Sequence, residues 1–454
     1  MNTLYRPQLL YSGSGFISGS GLLVSPQGSV LAAGTDLSAQ TVDLPGKAVL
    51  PGFVNTHSHS FQRLIRGKSE SRVTSGRDFW SWRGTMYHAA AQLDPQDVYD
   101  VARMAFLEMV LGGTTTVGEF HYLHNAPGGR PYDDPNLLGK QVIAAAQSVG
   151  IRIVLLRSAY LRSGFELPPD PGQIRFYETA SQFLENMAAL ADSAEVCIGV
   201  APHSLRAVPL DDLKQIAAWS RERKLPLHMH VAEQIAENEA CLREHGLPPA
   251  ALLGREGLLG PDFTAVHAIH ITAEEIGLLA RSGTTVCSCP TTERNLGDGV
   301  IVADQVMGQG IRIALGSDSQ AQIDPLEDAR QLEYHLRLDR QQRAILDQIG
   351  GQNLASRLFD CATVNGARAL GVPAGELAGG ALADFFAVDL DDLSIAGHSG
   401  EDLLPLAVFS LNRSAVRDVM VNGRWVVRDG RHPLQGEIVS RFKQLHQKLW
   451  GNQR

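Results

Sequence analysis

Two histidines stand one residue apart in V-N-T-H-S-H-S-F-Q-R. They are His57 and His59, placed just after the apolar run A-V-L-P-G-F. Alternate side chains of a strand share a face, so both imidazoles point the same way. Two neutral imidazoles converging on one spot suit a metal ion such as zinc. An isolated H-x-H is ordinarily a pair of solvated or mutually hydrogen-bonded loop histidines, so the reading depends on partners elsewhere. His228 and His230, followed by Glu233, lie in H-M-H-V-A-E. His267 lies in A-V-H-A-I-H and Asp318 in G-S-D-S, each at the end of an apolar run. One buried histidine is usually a satisfied core residue, and an Asp after a strand usually caps the next helix. Four strand ends that supply His, His, His and Asp are hard to explain by packing. Such groups are costly to bury unpaired. Together they point to a metal site.

The elements that must position these groups are eight β-rich runs. They fall at 48–53 leading into His57, then at 114–120, 151–158, 196–201, 225–231, 263–268, 284–289 and 311–317. Segments with helical character lie between them. Residues 95–111 place Val98, Val101, Ala102, Ala105, Phe106 and Met109 at helical spacing, and 209–223 and 273–280 look similar. Thr272 with Glu275 three residues on has the spacing of a capping box. Eight strand–helix alternations predict an α/β fold, a (β/α)8 TIM-type barrel whose chemistry sits at the C-terminal strand ends. An open doubly wound sheet is the runner-up. It is weakened because no G-x-G-x-x-G or G-x-x-x-x-G-K-[ST] phosphate loop follows a strand.

The ends of the chain read differently. Short glycine-broken apolar runs fill the N-terminus, and the pattern returns in A-D-F-F-A-V-D-L and D-V-M-V-N-G-R-W-V-V, where Asn422-Gly423 is a hairpin signal. We expect a small β-sandwich domain built from residues 1–49 and 375–454, beside a catalytic barrel over 50–374.

Composition narrows the partners. The chain has 454 residues, 44% hydrophobic and 20% charged, with a net charge of -9. That balance argues against nucleic acid, which needs a basic surface. An anionic substrate would have to be drawn in by local arginines. No secretory signal is evident, and no apolar stretch is long enough to span a bilayer. The five cysteines include Cys287 and Cys289 in C-x-C, expected as small buried strand residues in a reducing cytoplasm.

The H-x-H, the later histidines and the final S-D-S resemble the amidohydrolase superfamily. The stretches P-G-F-V-N-T-H-S-H-S-F-Q-R, R-D-F-W-S-W-R, G-T-T-T-V-G-E-F-H-Y, A-P-H-S-L-R, H-M-H-V-A-E-Q and C-P-T-T-E-R-N-L-G-D-G are similar to the formimidoylglutamate deiminases of histidine degradation. That resemblance implies one Zn2+ held by His57, His59, His230 and Asp318; Fe2+ or Mn2+ could occupy the same ligands. Two-metal relatives carry a bridging lysine at the end of strand four. Here that region reads V-A-P-H-S-L-R, which supports a single ion. Zinc lowers the pKa of bound water to roughly 7. His267 is placed to orient or deprotonate that water, Asp318 to share its proton, and Glu233 to carry a proton to the substrate nitrogen. The bland alternative for Glu233 is a first-turn helix carboxylate.

The implied reaction is hydrolysis of N-formimino-L-glutamate to N-formyl-L-glutamate and ammonia. The substrate is a small dicarboxylate, and Arg83 and Arg206 suit its carboxylates. The resemblance adds Gln62, Tyr122 and His203 as substrate-binding residues. Arg83 could instead be a surface helix charge, and Tyr122 a packed aromatic. Trp80 and Trp82 are expected to wall the pocket or pack the loop after strand one. Residues 291–295 either reach the ligand or form a loop held by its own hydrogen bonds. A purine or pterin aminohydrolase, such as a guanine deaminase-like enzyme, would use the same metal and glutamate. A non-catalytic scaffold would be expected to lack the ligands. The expected setting is a cytoplasmic homodimer with no nucleic-acid or membrane partner.

Overall fold

A computed structural model describes residues 1–68, 70, 79–168, 170–193 and 196–451. The eight expected strands form one parallel sheet: β1 (Phe53–Ser58), β2 (Thr114–His121), β3 (Arg152–Ala159), β4 (Cys197–Pro202), β5 (Leu227–Val231), β6 (Phe263–His267), β7 (Thr285–Ser288) and β8 (Ile313–Leu315). Neighbours in sequence are neighbours in the sheet. Every residue of β1, β2, β5, β6, β7 and β8 is buried. Strands covered on both faces read as continuous apolar runs rather than alternating ones, which is why the runs were visible in the sequence.

The sheet closes between its first and last strands through a parallel bridge of Ser58 with Asp318. The Asp318 N–H donates to the His57 carbonyl at 3.0 Å, and the His59 N–H donates to the Asp318 carbonyl at 3.0 Å. The seam that makes the sheet a barrel is thus made by the backbone of three predicted metal ligands. The last strand is shorter than the expected 311–317. Its end must turn: Gly316 sits against β1, and Asp318 adopts a left-handed φ of 45°.

Helices cover the barrel as expected. The helix Pro95–Leu111 starts at a capping box of Asp94 with Asp97, and Ala273–Ser282 starts at the box of Thr272 with Glu275. The expected loop at 291–295 is instead part of a short helix, Pro290–Leu296. Pro290 suits the first helical position, where its missing N–H costs nothing.

The terminal strands join in a second, mixed sheet. Its spine pairs Thr3–Tyr11 in parallel with Gln40–Pro51, and Gln40–Pro51 antiparallel with Phe385–Asp389. The sheet packs around its own cluster, which includes Tyr5, Leu22, Val49, Phe385 and Met420. Asn422 and Gly423, at φ 50° and 72°, make the hairpin turn between Val416–Val421 and Arg424–Val427. Gln40–Pro51 runs almost directly into β1, and the Phe53 and Phe386 rings stack at 4.5 Å across the junction. The C-terminal helix Gln435–Trp450 packs on the barrel helix Pro95–Leu111, where Arg103 pairs with Glu437 at 2.8 Å and Lys448 with Asp97 at 2.6 Å. No described helix is long and apolar enough to cross a membrane.

The closure seam leaves no room at Gly316. A Cβ there would lie 2.7 Å from His57 Cβ and 2.8 Å from its carbonyl oxygen. Gly316→Ala is expected to cost on the order of 1–3 kcal/mol in thermal or denaturant unfolding. Because the displaced residue is His57, bound metal measured by elemental analysis is expected to fall with it.

Candidate metal centre and active site

His57 and His59 leave the end of β1 on one face, as the alternation predicts. His57 Nε2 lies 3.1 Å from His59 Nε2 and 3.2 Å from His230 Nε2. Asp318 Oδ1 lies 3.4 Å from His57 Nε2 and 3.2 Å from His59 Nε2. Each of the four residues presents one ligating atom, all are buried, and these atoms lie within 4.8 Å of one another.

The protons on two of these rings can be assigned. His59 Nδ1 is 2.7 Å from the Phe120 carbonyl, and His230 Nδ1 is 2.9 Å from the His203 carbonyl. A carbonyl only accepts, so each ring donates from Nδ1, and its Nε2 carries a lone pair. Burial lowers the pKa of His57 to about 3 and that of His230 well below the usual range, so both imidazoles are neutral. The Asp318 carboxyl lies well below the carboxylate range despite the opposing effect of burial, so it is ionised. Several lone pairs and a carboxylate therefore face one point. Acceptors do not pack this way without a cation between them. A tetrahedral ion with roughly 2.0–2.1 Å bonds to nitrogen gives ligand separations of about 3.3–3.4 Å, close to those present.

Asp318 also lies near His267 and Cys289. Burial and the neighbouring Cys287 raise the Cys289 thiol well above its usual range, so it is a poor ligand. The His3Asp set is the divalent-metal cluster. His228, two residues before His230, sits deeper in the barrel, where its Nε2 donates to the Ala369 carbonyl at 3.0 Å.

His267 stands beside the cluster. Its Nε2 is 3.9 Å from Glu233 Oε1 and 3.8 Å from Asp318 Oδ2, too far for direct hydrogen bonds and suited to a shared partner between them. Its Nδ1 faces Glu293 Oε1 at 3.3 Å. Burial opposes charge on this ring, but Glu233, Glu293 and Asp318 together raise its pKa well above the usual range.

A cleft opens over the cluster. It is lined by all five residues expected to bind substrate: Gln62, Arg83, Tyr122, His203 and Arg206. Gln62 Nε2 donates to the Tyr122 hydroxyl at 2.6 Å. Burial pushes Tyr122 well above the usual phenol range, so that hydroxyl stays neutral. Arg83 is buried rather than a surface charge; it donates to Tyr160 at 3.0 Å and to Tyr87. Trp82 also lines the cleft, and the side chain of Trp80 lies outside the described residues.

Sequence reading missed Met86, Tyr87, Tyr160 and Phe176, which complete the wall. Phe176 follows β3 on a segment carrying no chemical signal of its own. Glu119 was also missed. It accepts from Ser58 Oγ at 2.6 Å and the Ser60 N–H at 2.7 Å, bracing the turn that carries His59. A carboxylate inside the otherwise uncharged strand run T-T-T-V-G-E-F was the available signal. The segment 291–295 turns its Glu293 toward His267 and is fixed from a neighbouring helix, with Thr291 N–H donating to Asp328 at 3.0 Å. Leu296 just beyond reaches the cleft.

A model of the amidohydrolase family matches residues 48–426. A formimidoylglutamate deiminase of Pseudomonas aeruginosa is 37% identical over 426 residues, covering 93% of this chain and 94% of that protein. An 8-oxoguanine deaminase of the same organism is 31% identical over 441 residues, covering 94% and 93%. The crystal structure of an amidohydrolase from Brucella melitensis superposes with a TM-score of 0.90 at 32% identity, covering 98% of this chain and 99% of that one.

The purified protein is expected to carry about one divalent ion per chain, read by elemental analysis. His230→Ala or Asp318→Asn is expected to lose most of it while the circular dichroism spectrum stays near wild type.

Proposed function

Since the chain belongs to the amidohydrolase family, we propose that it is a formimidoylglutamate deiminase, hydrolysing N-formimino-L-glutamate to N-formyl-L-glutamate and ammonia with Zn2+ as its ion. The observation that carries this reading is the pair Arg83 and Arg206 in the same cleft as the His3Asp cluster. A chain with net charge -9 repels a dianion overall, so two buried guanidiniums beside the reacting centre are a specific provision for carboxylates. The similarity to a formimidoylglutamate deiminase over nearly the whole chain supports the same substrate.

His57, His59, His230 and Asp318 hold the ion. When bound, it supplies Lewis acidity that makes water a nucleophile near neutral pH. The rest is done by side chains. Arg83 and Arg206 take the two carboxylates, while Gln62, Tyr122 and His203 offer polar contacts that orient the formimino group. His267 orients the attacking water, and Asp318 and Glu233 take up its protons. Water adds to the formimino carbon as Glu233 delivers a proton to the terminal nitrogen. The added hydroxyl then passes its proton by way of Asp318 to the same nitrogen, the bond from carbon to that nitrogen breaks, ammonia leaves, and the carbon keeps the oxygen as a formyl group.

A second reading is a purine-type aminohydrolase, favoured by Tyr87, Tyr122, Tyr160 and Phe176 in the wall, which could stack a flat ring. The same proton transfers would then serve a ring amidine.

Ammonia release distinguishes the two. The enzyme is expected to turn over formiminoglutamate at least about 100-fold faster, in kcat/KM, than guanine or 8-oxoguanine, because a site built for charged groups rejects analogues that leave them unpaired. The reverse preference would overturn the assignment. Glu233→Gln is expected to lower kcat by about 10²–10⁴-fold with metal retained. Arg83→Met or Arg206→Met is expected mainly to raise KM, and loss of metal in either would count against a substrate role.

A further inference from the structure

Glu233 sits on a turn that is costly to hold. The preceding Ala232 has a φ of 52°, a left-handed conformation that non-glycine residues seldom adopt. Such a turn persists only where its surroundings fix it. Several bonds do so. The His270 N–H donates to the Ala232 carbonyl at 3.0 Å, and the Ala268 N–H to the Val231 carbonyl at 3.0 Å. On the other side, the Glu233 N–H donates to Glu237 Oε2 at 3.2 Å.

Asp298 is the residue where these restraints meet. Its Oδ1 accepts from Gln234 Nε2 at 2.5 Å, and its backbone carbonyl accepts from His270 Nε2 at 2.8 Å. His270 is itself held from the helix Ile235–His245, where Asn238 Nδ2 donates to its carbonyl at 2.6 Å. One buried residue after β7 therefore ties together the loop after β5, which carries Glu233, and the loop that follows His267 at the end of β6. We propose that Asp298 is a positioning residue for Glu233, fixing the proton carrier against the metal cluster through Gln234 and His270. This rests on the reading of Glu233 as the group that moves the proton.

The side chain has features that packing alone does not require. Asp298 is 5% exposed, and its Oδ2 finds no hydrogen-bond partner. The ionisable groups facing it are Glu233, His267 and Glu293. Burial first, and Glu233 next, push its pKa up to about 8. At neutral pH it is then mostly uncharged and adds no repulsion beside Glu233. An asparagine would keep the oxygen that accepts from Gln234, whereas an alanine would release both Gln234 and the space around Glu233.

The test compares metal-loaded wild type with Asp298→Ala, Asp298→Asn and Gln234→Ala. Asp298→Ala is expected to lower kcat about 10-fold or more, since a misplacement of about 1 Å can cost up to 10²-fold. KM is expected to change less than about 3-fold, with metal content equal to wild type. Asp298→Asn is expected to recover most of the lost kcat. Gln234→Ala breaks the same link from the half-buried side and is expected to reproduce the kcat effect should Asp298→Ala fail to fold. Crystals of the alanine variant are expected to show the Glu233 carboxyl displaced. An unchanged kcat, a change confined to KM, an asparagine variant as impaired as alanine, or an unmoved Glu233 would each overturn the proposal. The crystallographic result does not depend on the substrate. A wild type inert towards formiminoglutamate would sink the functional reading, while the position of Glu233 would still decide this one.

Discussion

The molecule is organised around the mutual repulsion of unprotonated acceptors. His59 and His230 have their Nδ1 protons committed to backbone carbonyls, so their Nε2 lone pairs meet that of a neutral His57 and the Asp318 carboxylate in one buried spot. Only a cation makes that arrangement favourable, and metal affinity is in this sense part of the folding free energy. The backbone enforces the convergence. Asp318 and the two β1 histidines form the hydrogen bonds that close the barrel, so the fold cannot be completed without assembling most of the ligand set.

Strain gathers at the same rim. Ala232, His267, Ala268, Asp318 and Gln320 all have positive φ, and all lie at or just beyond the C-terminal ends of β5, β6 or β8. Each must leave its strand sharply to aim a side chain inward rather than continue upward. The cost is offset by a dense polar layer. Gln320 Nε2 donates to Ser58 Oγ at 2.9 Å, Ser58 Oγ donates to Glu119, and Asn55 Nδ2 donates to Ser317 Oγ at 2.7 Å. These bonds link β1, β2 and β8 around the histidines. Groups of this kind commonly hold metal ligands in the orientation binding needs.

The cleft shows how local charge departs from the net charge. Arg83 and Arg206 are nearly buried, and Arg83 is braced by the hydroxyls of Tyr160 and Tyr87. A guanidinium fixed in advance loses little freedom when it meets a carboxylate, and low local dielectric strengthens the attraction.

The sequence by itself determined the strand count, the parallel barrel and the presence of a metal site, while the choice of ligands came from a family resemblance. Buried parallel strands must be apolar, and the polar residues that interrupt them at one end, His57, His59, His230, His267 and Asp318, stand out for that reason. The turn at Asn422-Gly423 and the box at Thr272 were legible because local geometry demands those residue types. Tertiary structure alone decided what depends on distances between remote segments. Tyr87, Tyr160 and Phe176 carry no periodic signal, yet loops from separate strands bring them to one wall. The helix at Pro290–Leu296 is too short for periodicity to reveal, and Glu293 gains meaning only when β7 lies beside β6. Along the chain, Glu119 is a charge within a strand run and Asp298 a carboxylate among glycines. Their partners lie across the barrel rim, and no pattern along the chain encodes a hydrogen bond between residues that only folding makes neighbours.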